Sequence, residues 1–137
     1  MSTDETGKLI LGKPVADEII DRLAGEVAGF GARFRPPKLA VIIVQDDPAS
    51  RVYVGMKVKA AARCGIESSL IELSAATEQS ELLARLDVLN SDDGTDGILV
   101  QFPLPEGFDQ QTVIERISPA KDVDGLHPCN LGRIVSD

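Results

Sequence analysis

Between residues 13 and 30 the apolar positions fall at 15, 16, 19, 20, 23, 27 and 30, with charged groups between them. That spacing repeats every three or four residues and predicts an amphipathic helix. Pro14 suits its first turn, and Pro36-Pro37 closes the segment because a residue before proline is pushed out of the helical region. The period then changes. Residues 38–45, Lys-Leu-Ala-Val-Ile-Ile-Val-Gln, form a continuous apolar, β-branched run bounded by Pro37 and Asp46-Asp47-Pro48. Such a run suits a strand covered on both faces, as in a parallel sheet. Asp47-Pro48 offers an N-cap followed by proline at the first helical position, so a second helix should run to about Cys64, with Gly65 as a left-handed stop.

Residues 66–73 read as a second strand. Thr77-x-x-Ser80 should open a third helix extending through Leu89, with Leu82, Leu83, Leu86 and Leu89 on one stripe. Residues 97–101 form a short third strand stopped by Pro103 and Pro105, a fourth helix covers 109–117, and the remainder reads as loop. The order α-β-α-β-α-β-α predicts an α/β fold, an open, mostly parallel sheet with helices on both faces in three layers. The polar residues 1–8 read as a flexible tail and 9–137 as one domain, without repeat, low-complexity tract or linker.

With 137 residues, 43% of them hydrophobic, the chain can bury a core without disulfides or metal. No apolar run approaches the roughly 18 residues of a membrane span. The acidic start Met1-Ser-Thr-Asp-Glu-Thr-Gly7 does not read as a secretory signal, so a cytoplasmic protein is expected. The net charge of −8 argues against a nucleic-acid partner, although a local cluster can still hold an anionic small ligand. Cys64 and Cys129 have neither disulfide-framework nor zinc spacing, and no metal site is expected. His127, the sole histidine, reads as a structural loop residue. Gly25, Gly29 and Gly31 fall on or just past a helix rather than after a strand, so they are not a dinucleotide fingerprint.

Three groups of residues carry candidate chemistry. Ser50, Tyr53 and Lys57 are spaced by three and four residues, so they share one face of the helix that starts at Pro48. Val54, Val58, Ala61 and Ala62 form the expected buried stripe; Tyr53 and Lys57 fall on its shoulder and Lys59 faces solvent. The same pattern fits a helix whose tyrosine and lysine merely cover the core edge. Gln101 ends the third strand before Phe102-Pro-Leu-Pro105, a stiff apolar segment beside one amide. It fits a flat heterocyclic ligand or a simple strand terminator. Lys121-Asp-Val-Asp-Gly125 sets two carboxylates on alternate residues before a glycine turn. A carboxylate there can accept paired N–H bonds from an amidine-like ring edge, or simply belong to a surface turn.

Together, Val44-Gln-Asp-Asp-Pro-Ala-Ser50, Tyr53-Val-x-x-Lys57, Gly97-Ile-Leu-Val-Gln-Phe-Pro-Leu-Pro105 and Lys121-Asp-Val-Asp-Gly125 stand in the order and spacing of one family. The chain resembles the folate-binding catalytic half of the methylenetetrahydrofolate dehydrogenase/cyclohydrolases from about Leu9 to Ile134. The resemblance implies that Lys57 is the catalytic acid/base, that Tyr53 packs on the folate, and that Gln101 bonds Lys57 and substrate. It implies that Asp124 holds the pterin, that Val100 and Phe102 add contacts, and that Ser50 supports the site. A free lysine, with a pKa of ~10.4, is a poor base at neutral pH. Partial burial and a cationic substrate are the influences that make such a group useful.

The resemblance also implies a place in one-carbon metabolism and purine biosynthesis, and a homodimeric parent that uses NADP, less often NAD. The Rossmann domain that would bind that cofactor is lacking from these 137 residues, so the chain itself is expected to bind neither cofactor and to be a monomer. Departures are Gln45 in place of a common glycine, Phe102 in place of a frequent leucine, and Cys129 in place of a larger residue. Two other classes stay open: a non-catalytic folate-binding module, and a receiver-like signalling domain using Asp46-Asp47. The latter would need an acceptor aspartate where Gln101 stands.

Overall fold

The computed structural model describes residues 11–31, 33–44 and 48–136, so the expected tail and the Asp47 cap lie outside the described residues. Eight elements follow in the order α1 (Gly12–Gly31), β1 (Lys38–Val44), α2 (Pro48–Arg63), β2 (Glu67–Leu73), α3 (Gln79–Ser91), β3 (Gly97–Val100), α4 (Gln110–Arg116) and α5 (Pro128–Ser136). The three strands pair in parallel with the order β2-β1-β3, as the α/β reading expects.

β1 holds the centre because every residue from Ala40 to Val44 is buried. Successive side chains of a strand point to opposite faces. Ala40, Ile42 and Val44 accordingly join Leu82, Leu86, Leu89, Ile98, Val100, Leu104, Val113 and Ile117 in a core under α3 and α4. Val41 and Ile43 join Leu99, Val54 and Val58 under α2 on the other face. The opposite placement of α2 and α3 follows from the strand order. The chain steps from β1 outward to β2, then back across β1 to β3, and right-handed crossovers in opposite directions put their helices on opposite faces.

Several local expectations change. α3 starts at Gln79 after Glu78, which makes no side-chain cap bond, so Thr77 and Ser80 do not open it. Ala62 is exposed, and the buried side of α2 is Ser50, Val54 and Ala61. Residues 128–136 form α5 rather than loop, with Pro128 at its start. The α1 helix forms as expected, but Val15, Ile19, Leu23 and Phe30 remain exposed. α1 packs beside α2 rather than on the sheet. An Arg63–Asp17 ion pair of 3.0 Å and a Cys64 Sγ bond of 3.7 Å to the Ile20 carbonyl tie the two together.

One glycine is fixed by packing. A Cβ on Gly97 would lie 2.5 Å from Val123 Cγ1 and 3.3 Å from Leu39 Cδ1. Gly97→Ala should therefore cost about 1–3 kcal/mol of stability, the usual range for overpacking. Urea unfolding checks this, and unchanged stability would mean that Val123 shifts away without cost.

Acid sensitivity follows from the aspartates. Hydrogen bonds from Arg35 to Asp96 and from Arg116 to Asp87 hold both carboxyls below the usual range. The Thr112 hydroxyl and backbone N–H lower Asp109 in the same way. A carboxyl with a depressed folded-state pKa stabilises the fold above its unfolded value of ~3.9 and loses that contribution as pH falls through the folded value. The thermal midpoint should drop as pH falls below about 4, and Asp96→Asn should flatten part of that slope. Parallel slopes in the two proteins would remove Asp96 from this account.

Candidate active site

α2 starts directly after β1, so its first turns stand at the carboxyl ends of the strands. Gln101 follows the last residue of β3 at the same edge, and its backbone N–H donates to the Ile42 carbonyl at 2.8 Å. Because the strand order reverses at β1, this edge holds the crevice where open α/β sheets bind ligands.

A cavity of 310 Å³ occupies that crevice, lined by Ala49, Ser50, Tyr53, Lys57, Gln101, Phe102 and Pro103. Ser50 is buried at its inner side, Lys57 is half-buried, and Tyr53 is 60% exposed at its outer side. Lys59, two residues on from Lys57, is exposed. The Lys57 Nζ donates to Gln101 Oε1 across 3.4 Å, a long bond that joins helix and strand end. Gln101 Nε2 donates to the Phe102 carbonyl at 2.7 Å. An amide whose nitrogen is engaged in this way must turn its oxygen toward the lysine. The Phe102–Pro103 peptide is cis, and the segment continues to Leu104, which is buried under the sheet.

Ser50, Tyr53, Lys57, Gln101 and Phe102 are thus brought together. Two other expected residues are not among those lining the cavity. The side chain of Val100 is 1% exposed and belongs to the core under α3 and α4, since its strand position points to the opposite face from Leu99. Asp124 lies on the exposed turn before Gly125, which has φ +68°. The first carboxylate of that segment, Asp122, is the engaged one. It accepts from Gly125 N at 3.1 Å, His127 N at 2.9 Å and Asn130 Nδ2 at 2.9 Å. Burial raises its pKa, but the bonds from Asn130 and from the backbone of His127, Leu126 and Gly125 outweigh this and hold it below the usual range. Sequence reading gave no site role of their own to Asp122 and Pro103, which it noted only within their motifs, and none to Ala49 or Asn130. The available signal was an aspartate three residues before a glycine, the pattern of a side chain bonding its own turn.

His127 is a structural loop residue in this geometry: its Nδ1 accepts from Cys129 N at 3.1 Å at the start of α5. A larger cavity of 470 Å³, lined by Phe30, Phe34, Arg35, Pro37 and Asp96, lies at the amino ends of the strands. Arg35 and Asp96 are paired to each other there at 2.6 Å, so their charges are already matched. Among the described residues no group of three or more His, Cys, Asp or Glu could hold a metal ion. The described residues do not fit a dinucleotide either, because neither the 74–78 connection into α3 nor the segment after β3 is a glycine-rich turn opening a helix. No described helix is long and apolar enough to cross a membrane.

The family model for the tetrahydrofolate dehydrogenase/cyclohydrolase catalytic domain matches residues 10–124, a span that holds every candidate site residue. The chain is 54% identical to the bifunctional protein FolD of Halothermothrix orenii over 130 residues, covering 95% of this chain and 46% of that protein. It is 53% identical to FolD of Halalkalibacterium halodurans over 127 residues, covering 93% and 46%. It therefore spans less than half the length of these curated relatives. Among solved structures, the bifunctional FolD of Campylobacter jejuni superposes with a TM-score of 0.87 at 41% identity, over 90% of this chain and 44% of that one. The Trypanosoma brucei FolD, a complex with NADP cofactor and inhibitor, superposes with a TM-score of 0.89 at 37% identity, over 93% and 44%. Sequence, topology and the crevice at the strand ends agree, and the chain belongs to the tetrahydrofolate dehydrogenase/cyclohydrolase family as its catalytic domain.

Proposed function

We propose that residues 9–137 form the folate-binding catalytic half of an enzyme that oxidises 5,10-methylenetetrahydrofolate and hydrolyses the methenyl product to 10-formyltetrahydrofolate. The observation that carries the proposal is the convergence of the Lys57 amine, the Gln101 amide and the Tyr53 ring on one cavity at the strand ends. The flat folate ring would lie against Tyr53 beside the rigid Phe102–Pro103 segment. Asp124 would take the pterin's N–H edge from the turn at Gly125, and the buried hydroxyl of Ser50 would support the inner wall.

Hydrolysis then needs little machinery. Water adds to the bridging methenyl carbon, and the proton lost from its O–H bond passes to Lys57 in its amine form. As the adduct collapses, its hydroxyl proton leaves to solvent while the C=O bond forms, the bond from that carbon to N5 breaks, and N5 takes the proton returned by the same lysine. Methenyl cation and water thus give the formyl product and one free proton. Gln101 serves by fixing where the Lys57 nitrogen stands. In the family's oxidation a nicotinamide cofactor, NADP or NAD, would accept the hydride; because the described residues offer no cradle for it, no hydride step is assigned to them. The same reading places the protein in the cytoplasm, in one-carbon metabolism, with a folate as its small-molecule partner. On this reading the full-length members of the family would be homodimers and this chain a monomer.

The 137-residue protein should bind a folate analogue in calorimetric titration. Tyr53→Ala should weaken that binding about threefold to tenfold, the ~0.5–1.5 kcal/mol of an aromatic stack. No saturable binding by the unmodified protein would refute the folate reading. Cyclohydrolase turnover, followed by loss of methenyl absorbance, should fall on the order of a hundredfold or more in Lys57→Ala with analogue affinity largely kept. A fully active variant would exclude Lys57 as the proton carrier, and analogue binding without turnover in the unmodified chain would mark a non-catalytic binding module. The pure chain should not reduce NADP.

A further inference from the structure

Four of the five residues in the Lys121–Gly125 segment are committed to holding it in place. Lys121 Nζ donates to the carbonyls of Leu89 and Asp92 at 2.9 and 2.8 Å, at the carboxyl end of α3. Its own carbonyl accepts from Ile98 N at 2.7 Å, making a short parallel bridge between Ile98 and Asp122 beside β3. Val123 packs over Gly97, and Gly125 takes the left-handed conformation that closes the turn. Asp122 gathers the rest. One oxygen accepts from Gly125 N, and the other from His127 N and Asn130 Nδ2. Asn130 Nδ2 also donates to the Pro119 carbonyl at 2.9 Å, so the first turn of α5 is fastened to both sides of the same loop. Val123 and Asp124 are the exposed residues of the segment, and the Asp124 side chain makes no hydrogen bond or ion pair within the described residues.

We infer that Asp122 is a positioning residue for Asp124: by clipping the turn to α5 it sets where the free carboxylate is presented. The inference rests on the proposed role of Asp124 as the pterin's acceptor. A free carboxylate on an unsupported surface turn would sample many positions and gain little from a paired bond to a ring edge. With both flanking residues anchored, the ordering cost is met on folding rather than on binding. Asp122 touches no ligand in this account, so its effect must pass entirely through its neighbour.

That requirement gives the test, a double-mutant cycle on folate-analogue affinity in the 137-residue chain. Asp124→Ala should weaken binding about tenfold to a hundredfold, the loss of a hydrogen bond to a charged group. Asp122→Asn, which keeps one acceptor oxygen, and Asn130→Ala, which removes the α5 side of the clip, should each weaken it severalfold. In an Asp124→Ala background both should have no further effect, because the group they place is gone. Equal losses in the two backgrounds would overturn the positioning role and leave Asp122 as a general stabiliser. A second measurement needs no ligand: the Gly125 and His127 amides should be protected from hydrogen exchange in the wild type and exchange faster in Asp122→Asn. Unchanged protection would also overturn the inference. Failure of the wild type to bind any analogue would instead refute the folate reading, and the exchange result then decides alone whether Asp122 holds the turn.

Discussion

The arrangement depends on β1 being buried from both faces and paired on both edges. Residues 40–44 send alternate side chains into two separate cores, and each edge of the strand hydrogen-bonds to a parallel neighbour. A strand in that position has no solvent-facing side, which is why Leu39–Val44 reads as an unbroken apolar run instead of an alternating one. Its central place also makes the strand order reverse there. α2, the helix that follows β1, and the segment that follows β3 lie toward opposite faces, and the cavity is lined by residues of both. Core and site are consequences of one topological fact.

Much of this was legible in the chain. The strands show as runs bounded by proline and glycine, and Gly65 stops α2 with φ +78° as its position suggested. Lys57 could be separated from Lys59 because a helical wheel referenced to Val54 and Val58 needs only the period of the helix. What the pattern could not deliver was partner choice. The stripe on α1 correctly announced a helix, but periodicity cannot say what covers an apolar face, and here α1 lies on α2 with most of that face in water. α5 was missed because Leu131, Ile134 and Val135 give only one short apolar ridge next to a motif that reads as turn.

The site was read less completely than the fold for a related reason. Residues one helical turn apart are neighbours by geometry alone, so Ser50, Tyr53 and Lys57 could be joined from sequence. Bringing Gln101 to Lys57 required the order of the strands, which comes only from the whole topology. Asp124 and Val100 show the limit. Both stand within motifs that include true cavity residues, yet strand alternation buries one and a surface turn holds the other apart from the lining. Adjacency in a motif does not mean adjacency in a pocket, because successive side chains along a strand point to opposite faces.

The choice of an amide at position 101 has a physical consequence for the chemistry proposed. A carboxylate at the same distance would form an ion pair with the ammonium form of the lysine and favour keeping the proton there. An amide oxygen accepts a hydrogen bond from the amine in either protonation state, so it can fix the nitrogen in space without selecting its charge. Its own orientation is set by the bond to the Phe102 carbonyl, which leaves its oxygen facing Lys57. The rigid segment after β3 therefore acts twice: Phe102 and Pro103 line the cavity, and the Phe102 carbonyl steers the amide that steers the amine. A proton carrier needs to be held in place and still be free to change charge, and a neutral partner anchored from behind meets both conditions.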